Sequence, residues 1–416
     1  MLPEGFISTL SASLGTAVAD RFRLAMEQPG PASVRLHPFK PLSSPDPVLE
    51  DAVPVAWSPF GRILKRRPVF TLDPLFHAGA YYVQDSSAMF PVALFRRLAG
   101  TLDVPADRPV RVLDLCAAPG GKTTDLAATL RQLYGDRFLL VANEVMRSRA
   151  AVLSDNVAIW GDPNVTVTSV DPKAFAALEG FFDVVVADVP CSGEGMFRKD
   201  PRAVAEWSGD TVRLCASRQR RILADMWPSL RSGGLLIYST CTFAQAENDD
   251  NVSWVAETLG GEVIRPACDD EGVLGTACGY LLVPGLVPGE GQYAAAVRKG
   301  EGPAPSRAPA ASLEKLHPLR QGVRKGTWKG KDFVPDPDWA LSLSYERGSF
   351  PEWELDRQTA LLFLHRDVLV LPDAPRGFVL MTFHGLPLGF VKNVGSRCNN
   401  LHPQGRRILM DINDCV

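Results

Sequence analysis

The chain of 416 residues is poor in several things that would direct its interpretation. It has eight cysteines, at 116, 191, 215, 241, 268, 278, 398 and 415, and no two are spaced C-x-x-C. A zinc ribbon or a thioredoxin-like redox site therefore has no support, and no metal is expected. No stretch reaches the roughly 20 uninterrupted apolar residues of a membrane helix. The opening M-L-P-E-G-F-I-S-T-L lacks the basic start of a secretory signal. A disulfide framework is accordingly not expected; free thiols in a reducing cytoplasm are. No histidine occurs between residues 111 and 256, the six lying at 37, 77, 317, 365, 384 and 402. A Ser–His–Asp or Cys–His hydrolase thus has no basis in that stretch. Positive charge is not in excess either: 44 Lys plus Arg face 47 Asp plus Glu, for a net charge of −3. This excludes a uniformly basic nucleic-acid coat protein, but not a local basic footprint.

What is present is a 46% apolar chain, long enough for two or three cores. From residue 110 onward, apolar runs bounded by turn residues alternate with amphipathic segments. The runs are V-R-V-L-D-L (110–115), F-L-L-V-A-N-E (138–144), V-T-V-T-S-V-D (165–171), D-V-V-V-A-D-V-P (183–190) and G-G-L-L-I-Y-S-T-C-T (233–242). Helices are expected between them, at 121–133, 147–160, 172–179 and 211–230. Short strands separated by helices give βαβ units, and right-handed crossovers wind these into an open, doubly wound α/β domain. The expected organisation is a small α+β region at 1–105, a catalytic domain at 106–299, a Pro/Ala/Gly-rich linker at 300–312 and a β-rich domain at 313–416, read as a small barrel. Within the first region, Asp85, Ser86 or Ser87 is expected to cap the helix of A-M-F-P-V-A-L-F-R-R-L.

Ligands of such sheets bind at the carboxyl ends of the strands. After the first strand comes D-L-C-A-A-P-G-G-K-T-T (114–124). Its loop residues Cys116, Ala117, Ala118, Pro119, Gly120, Gly121 and Lys122 are candidates for holding a cofactor. It is not G-x-G-x-x-G, and it misses the phosphate-loop pattern because Cys116 replaces the first glycine. A tight strand–helix turn and a phosphate loop remain the other readings. Glu144, ending the second strand, is suited to ribose hydroxyls, and Asp171, ending the third, to a nucleobase edge. Together they argue for an adenosine-bearing cofactor. The fourth and fifth strands end beside Cys191 and Cys241, whereas a structural thiol would sit inside a run, as Cys116 or Cys278 does. Chemistry here would rest on thiols, carboxylates and Lys122.

Three of these segments carry a resemblance. Asp114–Lys122, Asp188–Gly193 and Ser239–Thr242 resemble motifs I, IV and VI of the Sun-type RNA cytosine-5 methyltransferases. The stretch A-D-V-P-C-S-G-E-G-M-F-R-K (187–199) departs only at Val189, where that family usually has Ala or Pro. Y-Y-V-Q-D-S-S-A-M (81–89) matches a block that precedes motif I. Within the family, the chain is most similar to the bacterial 16S ribosomal RNA methyltransferase F (YebU-like) branch. The resemblance implies a Rossmann-like methyltransferase domain, a C-terminal PUA-like domain and S-adenosylmethionine as cofactor. It implies Cys241 as the nucleophile that adds to cytosine carbon 6 and Cys191 as the residue that assists release. Asp188 would bond the ring nitrogen and exocyclic amine and donate a proton, a role that asks for a carboxyl pKa raised by burial. Asp188 also belongs to the cofactor-binding set. The target base must leave its stack to reach such a site.

The implied partner is RNA, either 16S ribosomal RNA or the small ribosomal subunit, with the protein acting as a monomer. Transfer RNA is the alternative substrate, and a P-loop-like nucleoside triphosphatase the alternative enzyme. A basic window without acids runs over 315–331 and holds Lys315, Arg320, Arg324, Lys325, Lys329 and Lys331, with Trp328 among them. In a protein with this core it reads as RNA backbone contact. Arg198 and Lys199 are further candidates for phosphate, and Phe39, Tyr81 and Tyr82 for base stacking.

Overall fold

Two short helices, Phe6–Leu14 and Thr16–Met26, open the chain and bury Phe6, Leu10, Ala19 and Phe22. The computed structural model describes residues 2–42, 46–301 and 313–412. Four strands follow the helices: Ala32–Leu36 (β1), Val53–Val55 (β2), Ser58–Leu64 (β3) and Tyr81–Val83 (β4). They pair antiparallel in the order β2-β3-β1-β4. The helix expected after residue 85 is Phe90–Leu98, and no side chain caps it. Asp85 instead accepts the Ser87 N–H at 3.1 Å and starts a 3-10 turn, Ser87–Met89, one turn earlier.

The central sheet contains the five expected parallel strands: Val110–Asp114 (β5), Phe138–Asn143 (β6), Val165–Thr168 (β7), Phe182–Asp188 (β8) and Leu230–Thr240 (β9). They read as continuous apolar runs because helices cover both faces of a parallel sheet. Gly121–Tyr134 and Arg147–Trp160 are helices where expected. The segment at 172–179 is a 3-10 helix, Pro172–Ala177. The long helix is Gly209–Met226; it runs on into a 3-10 turn, Trp227–Ser229, where Pro228 has no N–H to continue the α-helical ladder. The sheet continues past the expected strands. Gly261–Ile264 (β10), Val273–Gly275 (β11), Gly279–Leu282 (β12) and Gln292–Lys299 (β13) join it, with β13 antiparallel to β9. The order β11-β12-β13-β9-β8-β5-β6-β7 places β5 where the winding reverses, between β8 and β6. A crevice forms at such a switch point.

The C-terminal segment first crosses back onto this sheet. Arg320–Gln321 (β14) pairs antiparallel with β7, and Leu316 is buried beside it. A hairpin of Gly326–Lys329 (β15) and Asp332–Pro335 (β16) follows. Then come Glu352–Glu354 (β17), Gly377–Phe383 (β18), Leu386–Asn393 (β19) and Cys398–Asn400 (β20), in the order β17-β18-β19-β20. This corrects the expectation of a barrel: the described strands form an open sheet and a separate hairpin. Helix Arg357–His365 covers the sheet with Ala360, Leu361, Phe363 and Leu364. The same core takes in Val34 and Tyr81 from the N-terminal sheet. Most of the expected linker, residues 302–312, and Cys415 lie outside the described residues. Among the described residues, no helix is long and apolar enough to cross a membrane.

Candidate active site

The crevice expected to take a cofactor lies at the ends of β5, β6 and β7. Asp114 closes β5 fully buried; Thr123 donates to its Oδ2 at 2.6 Å, and its Oδ1 has no partner. Burial pushes this carboxyl up to about 7. The loop then reaches Gly120 at φ 115°, a left-handed turn that favours glycine. A Cβ there would also meet Leu153 at 3.2 Å. Asn143 binds the loops together: its amide donates to Leu115 O at 3.2 Å and Val170 O at 3.0 Å, and its Oδ1 accepts from Thr168 at 2.9 Å. Glu144 is buried at the end of β6. It accepts the Met146 N–H at 2.9 Å and pairs with Arg149 at 3.1 Å. Arg149 in turn donates to Ala118 O at 2.8 Å. Asp171 departs from its expected place. β7 stops at Thr168, and the exposed Asp171 side chain accepts the Lys173 N–H at 3.0 Å to cap the next 3-10 helix.

The ends of β8 and β9 bring the two candidate thiols together. Cys191 Sγ and Cys241 Sγ are 3.2 Å apart. The hydrogen bond to Cys241, burial and the nearby acids all push the Cys191 thiol up, so Cys191 holds its proton. Asp188 lies opposite Ser239 in the β8–β9 register. Three donors reach it: Lys122 Nζ at 2.9 Å, Ser239 Oγ at 2.8 Å and Gln292 Nε2 at 3.2 Å. Each of the three contacts uses the carboxylate as an acceptor. Burial pulls the Lys122 ammonium down, but Asp188, Cys241 and Asp114 outweigh it and the net shift is upward. Beside the Cys241 loop, a cavity of about 520 Å³ is lined by Phe6, Trp207, Phe243 and Ala244.

Several RNA candidates are structural instead. Arg198 is 11% exposed, pairs with Glu290 at 2.7 Å and donates to Ala25 O at 2.8 Å. It fastens the Cys191 loop to the N-terminal helices rather than reaching phosphate. Lys199 is more open but sits 3.5 Å from both Asp85 and Glu290. Arg320 is half-buried, bonded to Asp338 and to Ser154 Oγ at 3.2 Å. Lys325 pairs with Glu346 at 2.9 Å. Arg324, Lys329 and Lys331 are exposed and make no ion pair among the described residues. Trp328, on their hairpin, is 72% exposed. Tyr81 is a core residue bonded to Asp73, whereas Tyr82 reaches Pro119 O at 3.3 Å beside the cofactor loop and Phe39 is exposed.

Sequence reasoning missed Asn143, Ser239 and Gln292, and also Gln219, Glu247 and Asn248 behind the thiols. Asn143 could have been found, since it adjoins Glu144 at a strand end. Gln292 could not, because the strand it opens was not foreseen.

Three family models match successive parts of the chain. The N-terminal domain of 16S rRNA methyltransferase RsmF covers residues 2–86, 16S rRNA methyltransferase RsmB/F covers 102–261, and the methyltransferase RsmF PUA domain covers 350–408. Ribosomal RNA small subunit methyltransferase F of Cronobacter sakazakii is 34% identical over 97% of this chain and 96% of its own. The protein of the same name from Salmonella agona is 30% identical with the same coverage. Among solved structures, a methyltransferase homolog protein from Pyrococcus horikoshii matches with TM-score 0.55 and 26% identity, over 70% of this chain and 92% of that one. NSun6 from Pyrococcus horikoshii with SFG matches with TM-score 0.57 and 17% identity, over 72% and 99%, a likeness of fold.

Proposed function

The chain belongs to the ribosomal RNA small subunit methyltransferase F family, and on that premise we propose that it methylates carbon 5 of cytosine in 16S ribosomal RNA. The observation that carries this reading is the pair of thiols 3.2 Å apart, on neighbouring strand ends beside Asp188. Cytosine carbon 5 is a poor nucleophile, and a thiolate adding to carbon 6 remedies that. Cys241 takes this role, and the new sulfur–carbon bond leaves electron density on carbon 5. Asp188 holds the ring nitrogen and exocyclic amine as charge develops, with the Lys122 ammonium at 2.9 Å as the adjacent source of a proton. S-adenosylmethionine, when bound, supplies the methyl group. Cys191, which keeps its proton in the resting site, assists the last step. There the carbon 5 proton passes to solvent, its bonding electrons restore the carbon 5–carbon 6 double bond and expel Cys241 as a thiolate that the Cys191 proton stabilises, and the ring side returns its proton to Lys122.

The residues present fit S-adenosylmethionine. The loop 116–122 turns sharply at Gly120, Glu144 is a buried acid one strand away, and Asp114 keeps an unpartnered buried oxygen suited to a cationic or hydroxyl donor. A nucleoside triphosphatase fits less well, because Lys122 is engaged with Asp188 rather than left for phosphates. RNA backbone contact falls to Arg324, Lys329 and Lys331, with Trp328 offering a face for a base. The C-terminal domain selects the target and does no chemistry. The test is bisulfite sequencing of ribosomal and transfer RNA from a deletion strain. A lost 5-methylcytosine in 16S ribosomal RNA is expected. A loss only in transfer RNA would redirect the reading, and no loss in either would end it.

A further inference from the structure

The two thiols sit on loops that would be free to drift apart if nothing but their strands held them. Two bonds join the loops directly, Ser192 Oγ to Thr242 Oγ1 at 3.0 Å and Gly195 N–H to Cys241 O at 2.7 Å, and the short segment after β9 braces the residues on either side of each thiol. On the Cys191 side, Ser192 N–H donates to Glu247 Oε2 at 3.1 Å, and Gln219 Nε2 donates both to that same oxygen, at 2.7 Å, and to Pro190 O, at 3.0 Å. Both peptides flanking Cys191 are thereby fixed. On the Cys241 side, Asn248 performs the matching task. Its Oδ1 accepts from Thr240 Oγ1 at 2.6 Å, and its Nδ2 donates to Thr242 O at 2.9 Å. Both residues flanking Cys241 are fixed by one side chain. Glu247 and Asn248 are adjacent in the chain, and each is buried. Tyr238 OH locks the segment from beneath, at 2.6 Å from Glu247 O and 3.1 Å from Gln219 Oε1. Glu247 leaves one buried oxygen without a partner, and burial pushes its carboxyl up to about 7. A buried acid in that state is a costly way to brace a loop, which argues for a role beyond packing.

We infer that Glu247 and Asn248 are a pair of positioning residues, each holding one thiol loop, and that the peptide joining them sets the Cys191–Cys241 separation. This rests on the thiol roles given above and adds a division of labour to them. Loosening Glu247 disturbs the release thiol; loosening Asn248 disturbs the attacking thiol. A merely structural role would slow both steps together.

The experiment is a single-turnover time course with cofactor and target RNA, quenched on denaturing gels so that protein–RNA adduct formation and decay are read separately. Glu247→Ala removes the acceptor of both the Ser192 and Gln219 bonds; it should form adduct at the wild-type rate and lose it about tenfold more slowly. Glu247→Gln keeps an oxygen acceptor and should restore decay. Asn248→Ala should form adduct about tenfold more slowly and release it normally. Cofactor binding by each variant checks that the fold survives. If either alanine variant does not fold, Gln219→Met and Thr240→Val, which remove bonds with little change in volume, should show the same division. Equal slowing of both steps in all variants, or no effect in any, would overturn the inference. Absence of an adduct from the wild-type protein would instead overturn the thiol mechanism, so the two failures are distinguishable.

Discussion

At the scale of single residues, Asp114 makes a test through pH. Its carboxyl is raised from the ordinary 3.8 to about 7 in the folded chain, chiefly by burial. Between those values the folded state binds more protons than the unfolded one, so this group's stabilising contribution is full below about 4 and is lost as pH rises through about 7. Asp114→Asn keeps an acceptor for Thr123 and removes the titration. Urea unfolding at pH 4 and pH 8 should therefore show the variant gaining on the wild-type protein by a few kcal/mol at the higher pH. A constant difference across that range would mean the carboxyl does not titrate there. Residue identity alone said little about such partners. Arg198 reads as a phosphate contact because, with Lys199, it lies just beyond Cys191; its partner, Glu290, lies 92 residues along the chain. Likewise Glu247 and Asn248 stand in a run of polar residues, A-E-N-D-D, whose composition gives no sign of burial. They are buried between the end of β9 and the long helix Gly209–Met226, whose Gln219 bonds Glu247 at 2.7 Å.

At the scale of elements, the parallel strands, and with them which residues stand at their ends, were legible, because a strand covered on both faces is a continuous apolar run. Strands β10 to β13 were not. The first three are short, Gly and Pro interrupt the segment, and all four gain their partners from one another and from β9. The third strand was read three residues too long, since V-T-V-T-S-V-D keeps its β-branched pattern past Thr168 although pairing stops there. The basic window divides in the same way. Its hairpin and the stretch leading into it present Lys329, Lys331 and Arg324 to solvent, while β14 places Arg320 in an ion pair with Asp338. Changing the three exposed residues to Ala should weaken RNA binding and lower the salt slope by about 2–3, at roughly 0.7–0.9 per lost phosphate contact. Arg320→Ala should cost stability and leave that slope alone. A filter-binding salt titration checks both, and an unchanged slope in the triple variant would remove the hairpin from the interface.

At the scale of the whole molecule, the segments are less separable than the composition of residues 300–312 suggested. The C-terminal sheet shares a core with β1 and β4, β14 completes the edge of the catalytic sheet, and Arg406 pairs with Asp155 at 2.8 Å. A chain ending near residue 305 would expose Val34 and Tyr81. It should unfold at a lower temperature than the full chain in calorimetry, with cofactor binding weakened in step. A truncated chain with the full midpoint would make the C-terminal domain an independent unit. The full chain's central claim is narrower, and it rests on two sulfur atoms 3.2 Å apart. The most direct test incubates Cys241→Ala and Cys191→Ala with S-adenosylmethionine and target RNA, then runs each on a denaturing gel. Cys241→Ala should give neither methylation nor adduct, and Cys191→Ala should accumulate a protein–RNA band that survives denaturation. An adduct from Cys241→Ala with none from Cys191→Ala would reverse the two roles, and normal turnover by both would contradict the thiol mechanism.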